Sequence, residues 1–269
     1  MSHYEILKRN RYFEVLGGLN SDNRSDNKVG MVIDVDLTEI QKERNRIGSQ
    51  NQTKPSYTAF LVRAVALTLR EQDQVNRIAI EWPFYKRLIQ LHDVDVSVAV
   101  EKDTTEFNQA VYVASIRQAD RKSLSEITDE LKSFTVSSSD AGDPRWKLMR
   151  LVVERIPFTW LSRFIIKFPK YVPSLWIEHR GGAAMISSPS KYGVDTMMAT
   201  WPWPIGFSFG LVKDRVVAID GRAEVRPTMS VTLSFDRRLM GGAPAARFFR
   251  AVCDRLEDPQ RLTAGSSPS

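Results

Sequence analysis

The stretch S-V-T-L-S-F-D-R-R-L-M-G-G, running from Ser230 to Gly242, decides the fold of this chain. Its first part alternates apolar and polar residues, the pattern of a strand with one buried face. The apolar positions, counted from just before the stretch, are Met229, Val231, Leu233 and Phe235. Charged residues then interrupt the alternation, and the run G-G-A-P opens a helix. The stretch therefore predicts a strand, a charged loop and a helix in succession.

Strand and helix patterns alternate along the rest of the chain. Strands are predicted at 29–37 and 93–100, where valines and isoleucines recur at alternate positions. Helices are predicted at 57–70, capped by Ser56, and at 123–134. The closing helix carries one apolar stripe, formed by Ala245, Phe248, Phe249, Val252 and Leu256. This order predicts an α/β (α+β) fold with a mixed central sheet covered by helices.

Length and composition fit one domain with short flanking segments. At 269 residues, 42% hydrophobic and 26% charged, the chain can bury a sizeable core. We expect an N-terminal arm at 1–28, one domain at 29–262 and a disordered tail at 263–269. The first residues lack the apolar run of a signal peptide, and the single cysteine, Cys253, excludes an intrachain disulfide. Both features favour a cytoplasmic protein.

The charged loop resembles the S-F-D-H-R-x-x-D-G signature of the dihydrolipoyl acyltransferase catalytic domain of 2-oxoacid dehydrogenase complexes, whose fold is shared with chloramphenicol acetyltransferase. The residues that fit the signature are Ser234, Phe235, Asp236, Arg238, Gly242 and Ala243. Further segments fit the family in the same order, and they are 94–100, 119–127, 181–188, 217–221 and 226–229. The resemblance covers residues 29–135 and 180–260 and implies the fold of that family.

The resemblance also implies acyl transfer between CoA, or another thiol, and an acceptor. In the family a histidine takes the thiol proton, and a strand hydroxyl stabilises the oxyanion of the tetrahedral intermediate. That hydroxyl corresponds to Ser187, while Ser188, Asp236 and Arg238 are the predicted contacts to substrate or CoA. The two catalytic groups meet across a subunit interface in the family, so a homotrimer is implied. CoA or acyl-CoA would be a substrate, with no tightly bound cofactor.

At two positions of the signature this chain has lost the catalytic residue. Arg237 stands where the histidine base would stand, and Gly241 replaces the following aspartate. A guanidinium stays protonated at physiological pH and offers no acceptor lone pair, so Arg237 cannot be the base. The three histidines, His3, His92 and His179, lie elsewhere in the sequence. Together with one cysteine they also lack the spacing of a metal site, so no metal is predicted.

Residues 143–178 depart from the family pattern. Two basic amphipathic helices are predicted there, ended by Pro157 and Pro169. Residues 145–180 hold eight basic and two acidic side chains, an excess equal to the net charge of +6 of the whole chain. Basic helices with Trp and Phe are typical of membrane surfaces, and an acyl chain is another apolar ligand for them. The alternative, which we favour, is a helical cap packed on the protein's own body.

Three hypotheses for function follow. The first, which we favour, is a stand-alone acyltransferase-family protein whose acyl transfer is weak or impaired. The second is a non-catalytic pseudoenzyme that binds CoA or another anion, with Arg237 and Arg238 clamping a phosphate or carboxylate. The third is a structural or membrane-surface partner that works through residues 145–178. The predicted partners are a small acyl thioester and further copies of the chain, with no nucleic acid.

Overall fold

The computed structural model describes residues 3–7, 27–50, 53–82, 84–102, 110–136, 161, 165 and 168–263. Ten strands are present in these residues. They are β1 (Tyr4–Leu7), β2 (Lys28–Asp36), β3 (Arg77–Trp82), β4 (Tyr85–Leu91), β5 (Val96–Lys102), β6 (Ala110–Ile116), β7 (Ala184–Ser187), β8 (Ile205–Phe209), β9 (Lys213–Ile219) and β10 (Arg222–Asp236).

Six α-helices accompany these strands within the described ranges. They are α1 (Thr38–Ser49), α2 (Tyr57–Glu71), α3 (Leu124–Val136), α4 (Pro173–Arg180), α5 (Gly242–Glu257) and α6 (Gln260–Thr263). Short 3-10 turns occupy Asp73–Val75, Phe168–Tyr171 and Ser190–Tyr192. Of the described helices, none is both long and apolar enough to cross a bilayer.

A seven-stranded mixed sheet forms the centre of the fold. Its strands follow the order β2-β10-β8-β7-β5-β6, and β9 pairs with the first half of β10. The pairs β5–β7 and β7–β8 are parallel, and the other neighbours are antiparallel. A second sheet, in the order β1-β4-β3, joins the N-terminal strand to the hairpin after α2. The predicted α/β (α+β) fold with a mixed sheet and covering helices is confirmed.

Residues 228–236 of the long strand β10 are buried on both faces, not on one. Its apolar positions are in the core as predicted, and Phe235 is 1% exposed. The alternating polar positions, Ser230, Thr232 and Ser234, are buried as well because the segment 197–201 lies against this face. Their hydroxyls find partners, and the Thr232 hydroxyl donates to the Met197 carbonyl at 2.7 Å. The polar alternation therefore marks internal hydrogen bonding and not a solvent face.

The predicted helices form where the pattern places them. α2 begins after Ser56, whose hydroxyl accepts a hydrogen bond from the Ala59 amide at 3.2 Å, so the predicted cap is confirmed. α5 starts at Gly242 and buries its predicted apolar stripe against the sheet. The Phe207 ring on β8 lies 6.1 Å from the Phe248 ring and 6.0 Å from the Phe249 ring. This contact anchors the helix that follows the signature loop.

Two adjacent glycines allow β7 to approach β5 closely. Gly181 has a φ of +74°, a backbone region that only glycine enters without strain. A side chain at Gly182 would overlap the backbone carbonyl oxygen of Asp95. The double glycine therefore serves the sheet and not a nucleotide. It sets the register of β7 against β5, in which Ala184 pairs with Val96, and thereby places Ser187.

Part of the sequence prediction falls outside the described residues. The two predicted helices between residues 148 and 168 lie there, apart from Leu161 and Ile165, which are both half-buried. The end of the divergent segment is described as the 3-10 turn Phe168–Tyr171 and most of α4. The predicted arm 1–28 contributes β1, and the predicted tail 263–269 overlaps α6 at Thr263. The limits of the predicted domain remain a prediction.

Candidate active site

The signature loop follows β10 directly and is fixed by backbone hydrogen bonds on both sides. The Asp236 amide donates to the Pro204 carbonyl at 2.9 Å, and the Arg237 amide donates to the Asn27 carbonyl at 2.6 Å. The Leu239 amide donates back to the Asp236 carbonyl at 3.0 Å, which closes the turn. The backbone around position 237 is therefore held in one place, whatever side chain occupies that position.

Arg238 is the centre of an ion-pair network beneath the loop. Its guanidinium makes two hydrogen bonds to Asp236 from Nε, at 3.0 and 3.1 Å, and a further one from Nη2. Nη1 donates to Glu81 on β3 at 2.8 Å. Burial alone lowers the pKa of Arg238, but the bonds and charges of Asp236 and Glu81 outweigh burial and raise it. Asp236 and Arg238 therefore stabilise the loop through this network. Their contact with CoA stays a prediction.

Arg237 lies beside this network without joining it. Its side chain is half-buried and forms no hydrogen bond or ion pair with any residue in the described ranges. An arginine has five N–H donors and no acceptor, so it can bind an anion at this position but cannot accept a proton. The loop thus presents an unpaired cation at the position that corresponds to the family's base.

Gly241 is the N-cap of α5, with extended backbone angles and no side-chain cap. The Ala245 amide donates to the Gly241 carbonyl at 3.2 Å. A Cβ atom at Gly241 would meet only the Pro244 Cδ at 3.9 Å, an ordinary contact. An aspartate therefore fits here without strain and would cap the helix, because short polar side chains satisfy the free amides of a first turn.

Ser187 and Ser188, adjacent at the end of β7, have different surroundings. The Ser188 hydroxyl donates to the Phe209 carbonyl at 2.9 Å and accepts from the Ser190 amide at 3.2 Å. Ser188 therefore ties the strand end to β8, which is the ordinary structural use of such a hydroxyl. The half-buried Ser187 hydroxyl makes no hydrogen bond with the described part of the chain. Of the two, Ser187 is the one available to a ligand.

Ser187 opens into a cavity of about 510 Å³. Its walls come from β5, α3, the start of α2 and the 3-10 turn after β7. Three lysines stand at the cavity, and they are Lys54, Lys132 and Lys191. Lys191 pairs with Glu101, whose pKa is lowered by hydrogen bonds from Lys191 and Tyr192. No pattern in the sequence predicted this set of lysines, because they come from three separate segments.

Ser187 and Arg237 do not meet within one chain. Ser187 pairs with Ser208 on β8, and Ser208 pairs with Thr232 on β10. Arg237 is five residues further along from Thr232, which corresponds to about 17 Å at the usual rise per strand residue. The two predicted site positions therefore lie toward opposite ends of the sheet within one chain.

None of the three histidines, which are all among the described residues, stands at the loop position that corresponds to the family's base, and neither does Cys253. His3 and His92 are exposed, and His3 lies 2.9 Å from the Asp93 carboxylate. His179 is half-buried on α4, and its buried Nδ1 has no partner in the described residues. Burial raises the pKa of Cys253 to about 12, so its thiol stays protonated at neutral pH. Across the described ranges, no three His, Cys, Asp or Glu side chains are placed to hold a metal ion.

The central sheet, the loop after β10 and the serine at the end of β7 define the chloramphenicol acetyltransferase-like class of acyltransferase folds. The chain belongs to the family described as 2-oxoacid dehydrogenases acyltransferase (catalytic domain), whose model matches residues 19–141 and 177–264. The match omits residues 142–176, which cover most of the segment that departs from the family in sequence. The family resemblance of the signature loop is thereby confirmed.

Individual relatives agree with this assignment. The chain is 25% identical to the dihydrolipoyllysine-residue succinyltransferase component of the 2-oxoglutarate dehydrogenase complex of Bartonella vinsonii subsp. berkhoffii, over 85% of this chain and 47% of that protein. The chain spans about half the length of the curated relatives it matches.

Solved structures share the fold. The match to a probable dihydrolipoamide acetyltransferase of Listeria monocytogenes has a TM-score of 0.61 at 20% identity, over 94% of each chain. A chloramphenicol acetyltransferase matches with a TM-score of 0.53 at 13% identity, over 94% of this chain and 99% of the other. Identities this low show the fold alone.

Proposed function

We propose that this protein binds CoA or an acyl thioester in the cavity at Ser187 and that its acyl-transfer step is impaired. The observation that carries the proposal is Arg237, a permanently charged side chain at the position of the family's base. Acyl transfer needs a group that removes the thiol proton before sulfur attacks the carbonyl carbon. The loss of a positioned base typically lowers the rate by about 10² to 10⁴.

Of the later steps, stabilisation of the oxyanion retains its group, whereas the return of the proton does not. The attack forms a tetrahedral oxyanion, which the free hydroxyl of Ser187 is placed to stabilise by hydrogen bonding. Collapse of that intermediate then expels the other thiolate, which must regain a proton. In the family the base returns it, and Arg237 supplies no such proton at neutral pH because its guanidinium does not titrate there. The impairment therefore concerns proton transfer and leaves binding intact.

The cavity at Ser187 suits a phosphate-bearing thioester. Lys54, Lys132 and Lys191 stand at a volume large enough for part of an extended ligand. Lys132 on α3 is exposed and has no ion pair with the described residues. Since lysine ammonium groups bind phosphate as point charges, these side chains favour an anionic ligand such as CoA over a neutral one.

We expect Lys132→Gln to weaken CoA binding about two- to fivefold at low salt, the effect of one exposed charge. Isothermal titration with CoA measures this directly. Lys42→Gln is the matched control, because Lys42 lies on α1 in an exposed pair with Glu39 and does not line the cavity. If wild type shows no affinity for CoA, or if both variants weaken binding equally, the cavity at Ser187 is not the CoA site.

We also propose that the chain assembles as a homotrimer, so that Ser187 of one copy faces the loop of another. The separation of about 17 Å within one chain supports this, because it leaves each position without its partner group. Sedimentation equilibrium of the purified protein is expected to give three times the chain mass of 30.6 kDa. A single chain mass at micromolar concentration would contradict the shared site.

A further inference from the structure

A second cavity, of about 430 Å³, lies at the opposite end of the sheet from Ser187. It is bounded by β3, by the loop after β10, by the 3-10 turn Phe168–Tyr171 and by α4. The residues that carry its chemistry are Lys170, Tyr171, Trp176, Arg180, Glu81 and Arg238. Aromatic rings and charged groups thus face the same space, which is the composition of a ligand pocket.

Arg180 is the unusual residue of this cavity. It ends α4, and its guanidinium lies 5.1 Å from the Trp176 ring and 5.7 Å from the Trp203 ring. No carboxylate or carbonyl in the described ranges pairs with that guanidinium. Burial lowers the pKa of Arg180, and no acidic neighbour offsets this effect. A cation in this position is costly unless an anion joins it.

Three other partly or fully buried arginines, Arg63, Arg117 and Arg238, have partners within the fold. Arg63 donates to the Asp120 carbonyl at 2.7 Å, and Arg117 pairs with Asp95 at 2.6 Å. Arg238 holds Asp236 and Glu81, as described above. The contrast separates Arg180 from these three arginines, whose guanidinium groups are satisfied within the fold.

The net charge of the described residues that line the cavity favours the binding of one anion. Its two acidic side chains, Glu81 and Asp236, are both engaged by Arg238. Lys170 adds a second cation, with its Nζ 4.7 Å from the Tyr171 ring. Of the described residues that line the cavity, three are basic and two acidic, which leaves one positive charge in excess among them.

The aromatic walls are held firmly. The Trp203 indole donates to the Arg180 carbonyl at 2.7 Å, and the Trp176 indole donates to the Gly182 carbonyl at 3.3 Å. Both rings are buried, at 7% and 4% exposure respectively. The guanidinium therefore lies between two fixed indole rings, an arrangement that keeps its N–H fork available to a planar acceptor.

We propose that this cavity is a binding site for a small carboxylate with a flat apolar body, held by Arg180 and covered by Lys170, Tyr171 and Trp176. A carboxylate matches the planar fork of arginine, and its single charge matches the excess of one. The aromatic walls accommodate the apolar body. Lys170, Tyr171 and Trp176 lie in residues 142–176, which the family model does not match. The cavity is therefore lined in part by a segment outside the family match, and its lining is distinct from that of the Ser187 cavity.

Benzoate is the probe, and its neutral isostere benzamide is the control ligand. Isothermal titration of the full chain is expected to show benzoate binding and much weaker binding of benzamide. Arg180→Met keeps the apolar stem and removes the charge. We expect this variant to lose about ten- to a hundredfold in benzoate affinity, the effect of charge-assisted hydrogen bonds. Its urea midpoint should stay equal or rise, because an unpaired cation has been removed.

Two further measurements separate this site from the proposed function. Lys132→Gln should leave benzoate affinity unchanged, and Arg180→Met should leave CoA affinity unchanged. Equal binding of benzoate and benzamide, or unaltered benzoate affinity in Arg180→Met, would overturn the proposal. If Arg180→Met does not fold, Lys170→Met replaces it as the test. Lys170 is half-buried on the 3-10 turn, and we expect this variant to lose about two- to fivefold in benzoate affinity. Unaltered affinity in that variant would count against the site.

Discussion

The double variant Arg237→His, Gly241→Asp is expected to raise acyl transfer by about 10² to 10⁴ over the wild type, the contribution of a positioned base. A neutral imidazole titrates near pH 6.5 and can take the thiol proton at neutral pH. The loop backbone at 237 is fixed by its hydrogen bonds to Asn27 and within the turn, so the new side chain inherits a defined position. The aspartate fits at Gly241 and caps α5.

The measurement is CoA release from acetyl-CoA with dihydrolipoamide as acceptor, followed by chromatography. The single variant Arg237→His should show part of the rate increase. The Gly241→Asp change caps α5 and so contributes to the order of the loop and not to proton transfer. Adding Ser187→Ala to the double variant is expected to remove about 10² of the restored rate, because an oxyanion donor is lost. Gly242→Ala is a suitable control, as a Cβ there meets no atom within 4 Å.

Two outcomes would contradict this account. If the wild type already turns over as fast as the double variant, its base lies elsewhere. His179, whose buried Nδ1 has no partner in the described residues, would then be the first residue to replace. A restored rate that does not respond to Ser187→Ala would show that Ser187 is not the oxyanion donor.

Arg238→Gln is expected to lower the free energy of unfolding by about 3 kcal/mol, since it leaves a buried carboxylate without its partner. Asp236 is 5% exposed at the side chain, and Arg238 supplies several of its hydrogen bonds. The same change frees Glu81 from the bond that joins β3 to the loop. Urea unfolding followed by far-UV circular dichroism measures the difference.

Arg250→Gln is the matched control for this change. Arg250 pairs with Asp254 and Glu257 on the exposed side of α5, where an ion pair contributes less than about 1 kcal/mol. The test also decides between the two assignments of Arg238. Unchanged stability together with lost CoA affinity would make Arg238 a ligand contact, as the family resemblance implies. Lowered stability with unchanged CoA affinity would show that Arg238 stabilises the loop instead.

The elements of the fold were largely predictable from local pattern. The alternation before Asp236, the Ser56 cap and the apolar stripe of α5 each depend on neighbours within a few residues, and each forms as expected. The second face of β10 was not predictable in this way. Ser230, Thr232 and Ser234 resemble a solvent face in sequence, yet the segment 197–201, about 35 residues away in the chain, lies against them.

The site shows the same division. A motif of nine residues was enough to identify position 237 and to exclude a base there, because the chemistry of arginine does not depend on its surroundings. The roles of Ser187 and Ser188 could not be told apart in sequence. Only the contact between Ser188 and the Phe209 carbonyl on β8 shows which hydroxyl is committed to the fold.

The sequence by itself determined the family, the order of elements and the loss of the histidine, since these follow from residue identity and short-range spacing. The tertiary structure decided what long-range pairing controls. It placed Ser187 and Arg237 about 17 Å apart along the sheet. It also enclosed Arg180 between Trp176 and Trp203 without a counterion in the described residues. Both results depend on which strands and turns become neighbours, and a linear pattern does not encode that choice in any single segment.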